Sequence, residues 1–209
     1  MQHTNFVKNL IQKGEGEQLD FKQTINSAQK ISKILCAFSN TKGGILLVGI
    51  KDNGHPCKIN ILEEQHVLEH AADFYCKPSI VLDFSAETFK GFSILKVTIP
   101  SSTHKPTFSK GDDNKWWAYI RVHDQCLLAS KVMLDVLRTS NRSEGKAVEF
   151  GNAEKILLSY LDKNSRVTLK EFTKMANIGR WRAQKILVNL VGMNIIKVIS
   201  TEKTDFYSI

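Results

Sequence analysis

Over residues 1–139 the apolar positions switch repeatedly between helical and strand periods. Phe6, Val7, Leu10 and Ile11 fall at helical spacing and predict a short N-terminal helix ended by Gly14. Leu19 and Phe21 then alternate with Gln18, Asp20 and Lys22, the pattern of a half-buried strand with Asp20 and Lys22 on its outer face. Residues 27–40, with Ile31, Ile34, Leu35 and Phe38 on one stripe, predict an amphipathic helix. Gly43-Gly44 make a sharp turn into the continuous apolar run 45–50, a buried strand. The turn Asp52-Asn53-Gly54 follows and carries Asp52 to the exposed end of that strand. A second helix is expected over 61–75, with Leu62, Val67, Leu68, Ala71 and Ala72 as core candidates. Strands are expected over 79–84, 92–99 and 117–122, with a polar loop over 100–115 and a closing helix over 134–139. Helices interleaved with strands of mixed sense give an α+β fold, a mixed sheet with packed helices.

The pattern changes near residue 140. Residues 141–151 are small, polar and without periodicity, and read as a linker between a domain over 1–140 and another over 152–209. The second stretch predicts a helix over 152–161, with Ile156, Leu157 and Tyr160 on one face. A second helix over 168–176 has Glu171 in the capping-box position relative to Thr168. The turn Asn177-Ile178-Gly179 leads to a third helix over 180–191, and a hairpin over 195–199 and 204–209 ends the chain. Helix, helix-turn-helix and hairpin is the layout of a small winged helix. Its recognition helix would present Arg180, Trp181, Arg182, Gln184 and Lys185 in its first half, where such helices reach base edges and phosphates.

Charge sharpens this picture. The formal net charge is +8, and residues 150–209 hold ten Lys and Arg against five Asp and Glu. A basic excess concentrated in the short C-terminal part points to a polyanion partner, with nucleic acid the commonest case. No apolar run approaches the roughly 20 residues that span a bilayer, so no membrane partner is expected. The N-terminus lacks the apolar core and cleavage site of a secretion signal, so a cytoplasmic location is expected. Cys36, Cys57, Cys76 and Cys126 form no paired motif and read as reduced thiols, and the six His residues show no zinc-ligand spacing.

Other chemistry is more local. Trp116, Trp117 and Arg121 combine aromatic faces with a cation and make a candidate stacking and phosphate-binding surface. His104 and Lys105 in the preceding loop are further phosphate candidates. In Thr41-Lys42-Gly43-Gly44 the lysine precedes the glycines, and no Gly-Lys-Ser/Thr occurs anywhere, so ATPase activity is not expected.

The segments GEGEQLDFK, AFSNTKGGILLVGIKDNG, HKP and YIRV together resemble the Schlafen AlbA-type domain over about residues 10–135. Bacterial members are often named as divergent AAA-type ATP-binding or DNA-binding proteins, frequently with a C-terminal winged helix. In Schlafen members that cleave RNA, three carboxylates form a metal-dependent site. The resemblance maps that catalytic and metal-binding trio onto Glu15, Asp20 and Asp52, with Mg²⁺ or Mn²⁺ as the implied cofactor. Asp20 departs from the family's usual Glu and shortens the reach by one methylene. Three readings follow. The first is a DNA-binding transcriptional regulator, and the second a metal-dependent endoribonuclease of Schlafen type. The third is a C-terminal domain that forms a homodimer and binds no nucleic acid.

Overall fold

The computed structural model describes residues 2–139 and 151–209, so the expected linker lies outside the described residues except for Gly151. Two units separate, Met1–Leu128 and Ala129–Ile209.

The first unit runs through α1 (Gln2–Lys13), β1 (Leu19–Lys22), α2 (Ala28–Asn40), β2 (Gly44–Val48) and α3 (Ile61–Phe74). It continues with β3 (Cys76–Lys77), β4 (Asp83–Phe89), β5 (Phe92–Ile99), β6 (Phe108–Lys110), β7 (Trp116–Trp117), β8 (Tyr119–Val122) and β9 (Gln125–Leu128). The main sheet has the order β1-β2-β5-β4, with β1 parallel to β2 and the other neighbours antiparallel. Strand β2 is apolar throughout because both faces of the sheet are covered. Leu46 and Val48 join Ile31, Leu35, Phe38 and Leu68 of the two covering helices, α2 and α3. Leu47 joins Val7, Leu19, Phe21 and Ile94 on the opposite face. Truncating any of these fully enclosed leucines to alanine costs about 2–5 kcal/mol.

Ser27 caps α2 by accepting from the Lys30 N–H, which sets the start of the helix. At its other end Gly43 donates its N–H to the Phe38 carbonyl and takes φ +72°. A Cβ there would lie 2.7 Å from the Ile99 carbonyl oxygen, so the chain reverses into β2 only with glycine at this position.

Three details differ from expectation. The strand expected over 79–84 is β4, displaced toward Phe89, because Lys90 (φ 49°) and Gly91 (φ 81°) close a two-residue hairpin with β5. The loop expected over 100–115 contains β6, and the strand expected over 117–122 is divided between β7 and β8, which belong to different small sheets. Strand β1, expected to be half-buried, is enclosed at Leu19, Asp20 and Phe21 alike.

The second unit comprises α4 (Lys131–Thr139), α5 (Asn152–Leu161), β10 (Val167–Thr168), α6 (Leu169–Met175), α7 (Arg180–Gly192), β11 (Lys197–Ser200) and β12 (Asp205–Ser208). Its antiparallel sheet has the order β10-β12-β11. Leu157, Leu161, Phe172, Ala183, Leu187 and Tyr207 form its core. Thr168 and Glu171 make the expected capping box. Helix α4, expected to close the first domain, belongs instead to this unit, where Val132 enters the core. No helix among the described residues is long and apolar enough to cross a membrane.

Candidate nucleic-acid interface and the acidic cluster

The acidic candidates of the first unit meet on β1. Parallel pairing with β2 holds Asp20 opposite Leu46 in the sheet and leaves the residue only 3% exposed. Its two carboxylate oxygens are each claimed by a cation: the Lys22 ammonium donates to Oδ1 at 2.6 Å and Arg121 Nη1 to Oδ2 at 2.9 Å. Arg121 comes from β8, is 6% exposed, and also donates to the Gly16 and Leu19 carbonyls at 3.0 and 3.3 Å. Its guanidinium lies over the Phe38 ring, 5.0 Å from the centroid. The burial of Arg121 and the donation of Nε, Nη1 and Nη2 to protein acceptors weigh against the phosphate-binding role expected for it.

Glu15 reaches into the same cluster. Its Oε1 accepts the Phe21 N–H at 2.8 Å. Desolvation of this carboxyl and its contact with Asp20 raise its pKa above the ordinary glutamate value, against the lowering effect of the Phe21 N–H. Asp52 is exposed in the turn after β2. Among the described residues no group of three His, Cys, Asp or Glu is placed to hold a metal ion. The structure thus brings Glu15 and Asp20 together and does not group Asp52 with them. Both oxygens of Asp20 are already neutralised, so the trio as placed does not fit a shared Mg²⁺ or Mn²⁺.

The other candidates of the first unit differ in accessibility. His104 is exposed, whereas Lys105 is half-buried and donates to the Thr41 carbonyl at 2.7 Å. Burial lowers the pKa of that amine, and its proton is directed at protein. Trp116 and Trp117 are both partly exposed. Lys77 lies 5.9 Å from the Trp116 ring centroid, and the Trp117 indole N–H donates to Asp113. All four cysteines are free, and burial pushes the Cys36 thiol up to about 12.

In the second unit, α7 begins directly after Gly179 and exposes Arg180, Trp181, Arg182 and Lys185. Among the described residues none of these three cations forms an ion pair with a carboxylate. Trp181 is 70% exposed, rather than half core as an aromatic early in a helix often is, and the Lys185 ammonium lies 4.4 Å from its ring centroid. Gln184, expected among the base-reading residues, is half-buried and donates to Asp135 of α4 at 2.7 Å. Sequence reasoning missed the neighbourhood of this helix end. A groove of about 920 Å³ runs beside it, lined among others by Lys131, Lys170 and Lys203. The basic excess of residues 150–209 signalled Lys170 and Lys203 as a class, but Lys131 lies outside that stretch and only the folded unit gathers the three.

A family model described as Schlafen, AlbA_2 matches residues 15–130, more than half of the chain. No curated protein matches. Among solved structures, the N-terminal domain of an ATP-dependent DNA helicase RecG-related protein from Nitrosomonas europaea is similar at 22% identity and a TM-score of 0.46, over 57% of this chain and 87% of that one. The DIP2311 protein from Corynebacterium diphtheriae is similar at 16% identity and a TM-score of 0.47, over 70% of this chain. The match covers 33% of that second protein, so the chain spans about a third of its length.

Proposed function

The chain belongs to the Schlafen AlbA_2 family, and from that premise we propose that it is a nucleic-acid-binding protein, a DNA-binding regulator that docks through the first half of α7. The observation that carries this reading is the set of exposed, unpaired cations at the start of that helix, Arg180, Arg182 and Lys185. Unpaired Arg and Lys at a helix N-terminus add to the positive end of the helix dipole and attract phosphate. Two further features support a winged helix-turn-helix here. One is the order α5, α6, α7 with a short turn before α7, and the other is the β11–β12 hairpin that follows. Lys203 in that hairpin turn would serve as the wing's phosphate contact.

The test is fluorescence anisotropy with labelled DNA across a salt series. Each phosphate neutralised adds roughly 0.9 to the slope of log affinity against log salt. The double substitution Arg180→Glu and Arg182→Glu is expected to weaken binding and reduce that slope by about two. Unchanged affinity and slope refute the proposal.

The dimer reading is disfavoured by the same residues, since an interface over α7 would bury three cations without carboxylate partners. The endoribonuclease reading predicts Mn²⁺- or Mg²⁺-dependent cleavage of structured RNA that Asp52→Asn abolishes. The occupation of Asp20 by Lys22 and Arg121 weighs against it. Metal-dependent cleavage lost in that variant would establish it in place of the regulator.

A further inference from the structure

The indole of Trp181 is poorly suited to intact duplex. The duplex major groove presents base edges, and its one apolar feature is the thymine methyl, so a broad aromatic face finds little to cover there. A base face is its natural partner, and base faces are free only in single strands, bulges and frayed ends. The surroundings of Trp181 match such a ligand. The groove it lines, about 920 Å³, lies within the range of roughly 300–1,000 Å³ typical of small-molecule sites. Lys131, Lys170, Arg180 and Lys203 also line it, against a single carboxylate, Asp205. Asp205 accepts the Ser130 hydroxyl and, among the described residues, pairs with none of these cations. Lys185 stacks on Trp181 and does not itself line the groove.

We propose that this groove takes an unpaired nucleotide, its base stacked on Trp181 and its phosphates held by Lys131, Lys170, Arg180 and Lys203. The second unit then prefers nucleic acid with single-stranded segments to intact duplex. The inference rests on the reading of α7 as the nucleic-acid-binding element. Recognition is tolerant of sequence, because the side chains best suited to reading base edges are already engaged, Gln184 with Asp135 and Asp205 with Ser130.

The experiment titrates the full chain with fluorescein-labelled oligothymidylate of about 15 nucleotides and with a blunt duplex of the same length, at one fixed salt concentration. The single strand is expected to bind about tenfold or more tightly than the duplex. Trp181→Ala is expected to lower single-strand affinity about tenfold and Trp181→Phe to keep most of it. Trp181 is largely exposed, so its replacement leaves the core intact. Lys203→Ala, also at the groove, is expected to weaken single-strand binding several-fold. Duplex binding as tight as single-strand binding overturns the inference, and so does single-strand affinity unchanged in Trp181→Ala. If either result comes with duplex binding that is still weakened by Arg180→Glu and Arg182→Glu, only the inference falls. If neither nucleic acid binds, the proposed function falls with it.

Discussion

Replacing Arg121 by methionine keeps most of the side-chain volume and removes the guanidinium from its enclosed position on β8. Lost with it are the 2.9 Å contact to Asp20 Oδ2 and the donations to the Gly16 and Leu19 carbonyls. Asp20, 3% exposed, is left with one oxygen unpaired and only Lys22 for compensation. Removing one partner of a buried ion pair costs about 3–5 kcal/mol, because the remaining charge stays desolvated. The surviving Lys22 contact places the expected loss near the lower end, about 3 kcal/mol, a large part of the roughly 5–15 kcal/mol that holds a domain folded. The chain has three tryptophans, so a Trp181→Phe background confines the fluorescence signal to Trp116 and Trp117 of the first unit. Urea unfolding of that unit is expected to shift its midpoint downward by about 1–3 M. Adding Asp20→Asn to Arg121→Met should recover part of the loss, because the stranded charge is gone; a coupling of about 0.5–3 kcal/mol is expected. A loss below about 1 kcal/mol, or strict additivity, would show that Arg121 does not hold Asp20 in place. Arg121 would then be free for the phosphate role its sequence context suggested.

Glu15 has a raised pKa, so its contribution to stability is fully present below the ordinary glutamate value and is lost as pH rises through the elevated one. Glu15→Gln, which can still accept the Phe21 N–H, should flatten that part of the stability–pH curve, measured by urea unfolding at successive pH values; a parallel curve would contradict the assignment. Gly43→Ala places a Cβ 2.7 Å from the Ile99 carbonyl oxygen in a left-handed backbone, and a loss of about 1–3 kcal/mol is expected in the same unfolding assay. Thr168→Ala removes the α6 cap and should lower the unfolding free energy of the second unit by about 1 kcal/mol, with Ser restoring most of it.

Much of the fold was legible because its signals are local. The Thr168–Glu171 capping box, the 152–161 helix and the Gly43-Gly44 reversal each depend on residues a few positions apart. The displacement of β4 was missed because its turn is Lys90-Gly91, where a lysine takes a positive φ that the Asn-Gly rule does not anticipate. Helix α4 was assigned to the wrong unit because its apolar stripe says only that it packs, not on what. The site divided along the same line. Arg180, Arg182 and Lys185 were legible as a local cluster of cations at a helix start, and all three are exposed there. The burial of Arg121 could not be read, since it depends on β8 being brought to β1 across a separation of about a hundred residues.

That burial bears directly on which unit carries function. A carboxylate on β1 and an arginine in a late Tyr-Ile-Arg-Val run can form either a catalytic surface or an internal brace, and the sequence is identical in both cases. Desolvation separates them. A metal-binding carboxylate must keep lone pairs open toward solvent or substrate, whereas Asp20 has both oxygens occupied and is almost wholly enclosed. In the first unit several charges pair with one another: Asp20 with Arg121 and Lys22, Glu17 with Lys42, and Asp113 with Lys115. In the second unit the one ion pair among the described residues is Arg138–Asp135, and the cations at the start of α7 and along its groove form none. Uncompensated positive charge is a standing self-repulsion that a bound polyanion relieves. Nucleic acid should therefore raise the stability of the second unit more than that of the first. Separate unfolding transitions measured with and without oligonucleotide test this, and equal shifts in both would count against placing the binding surface on α7.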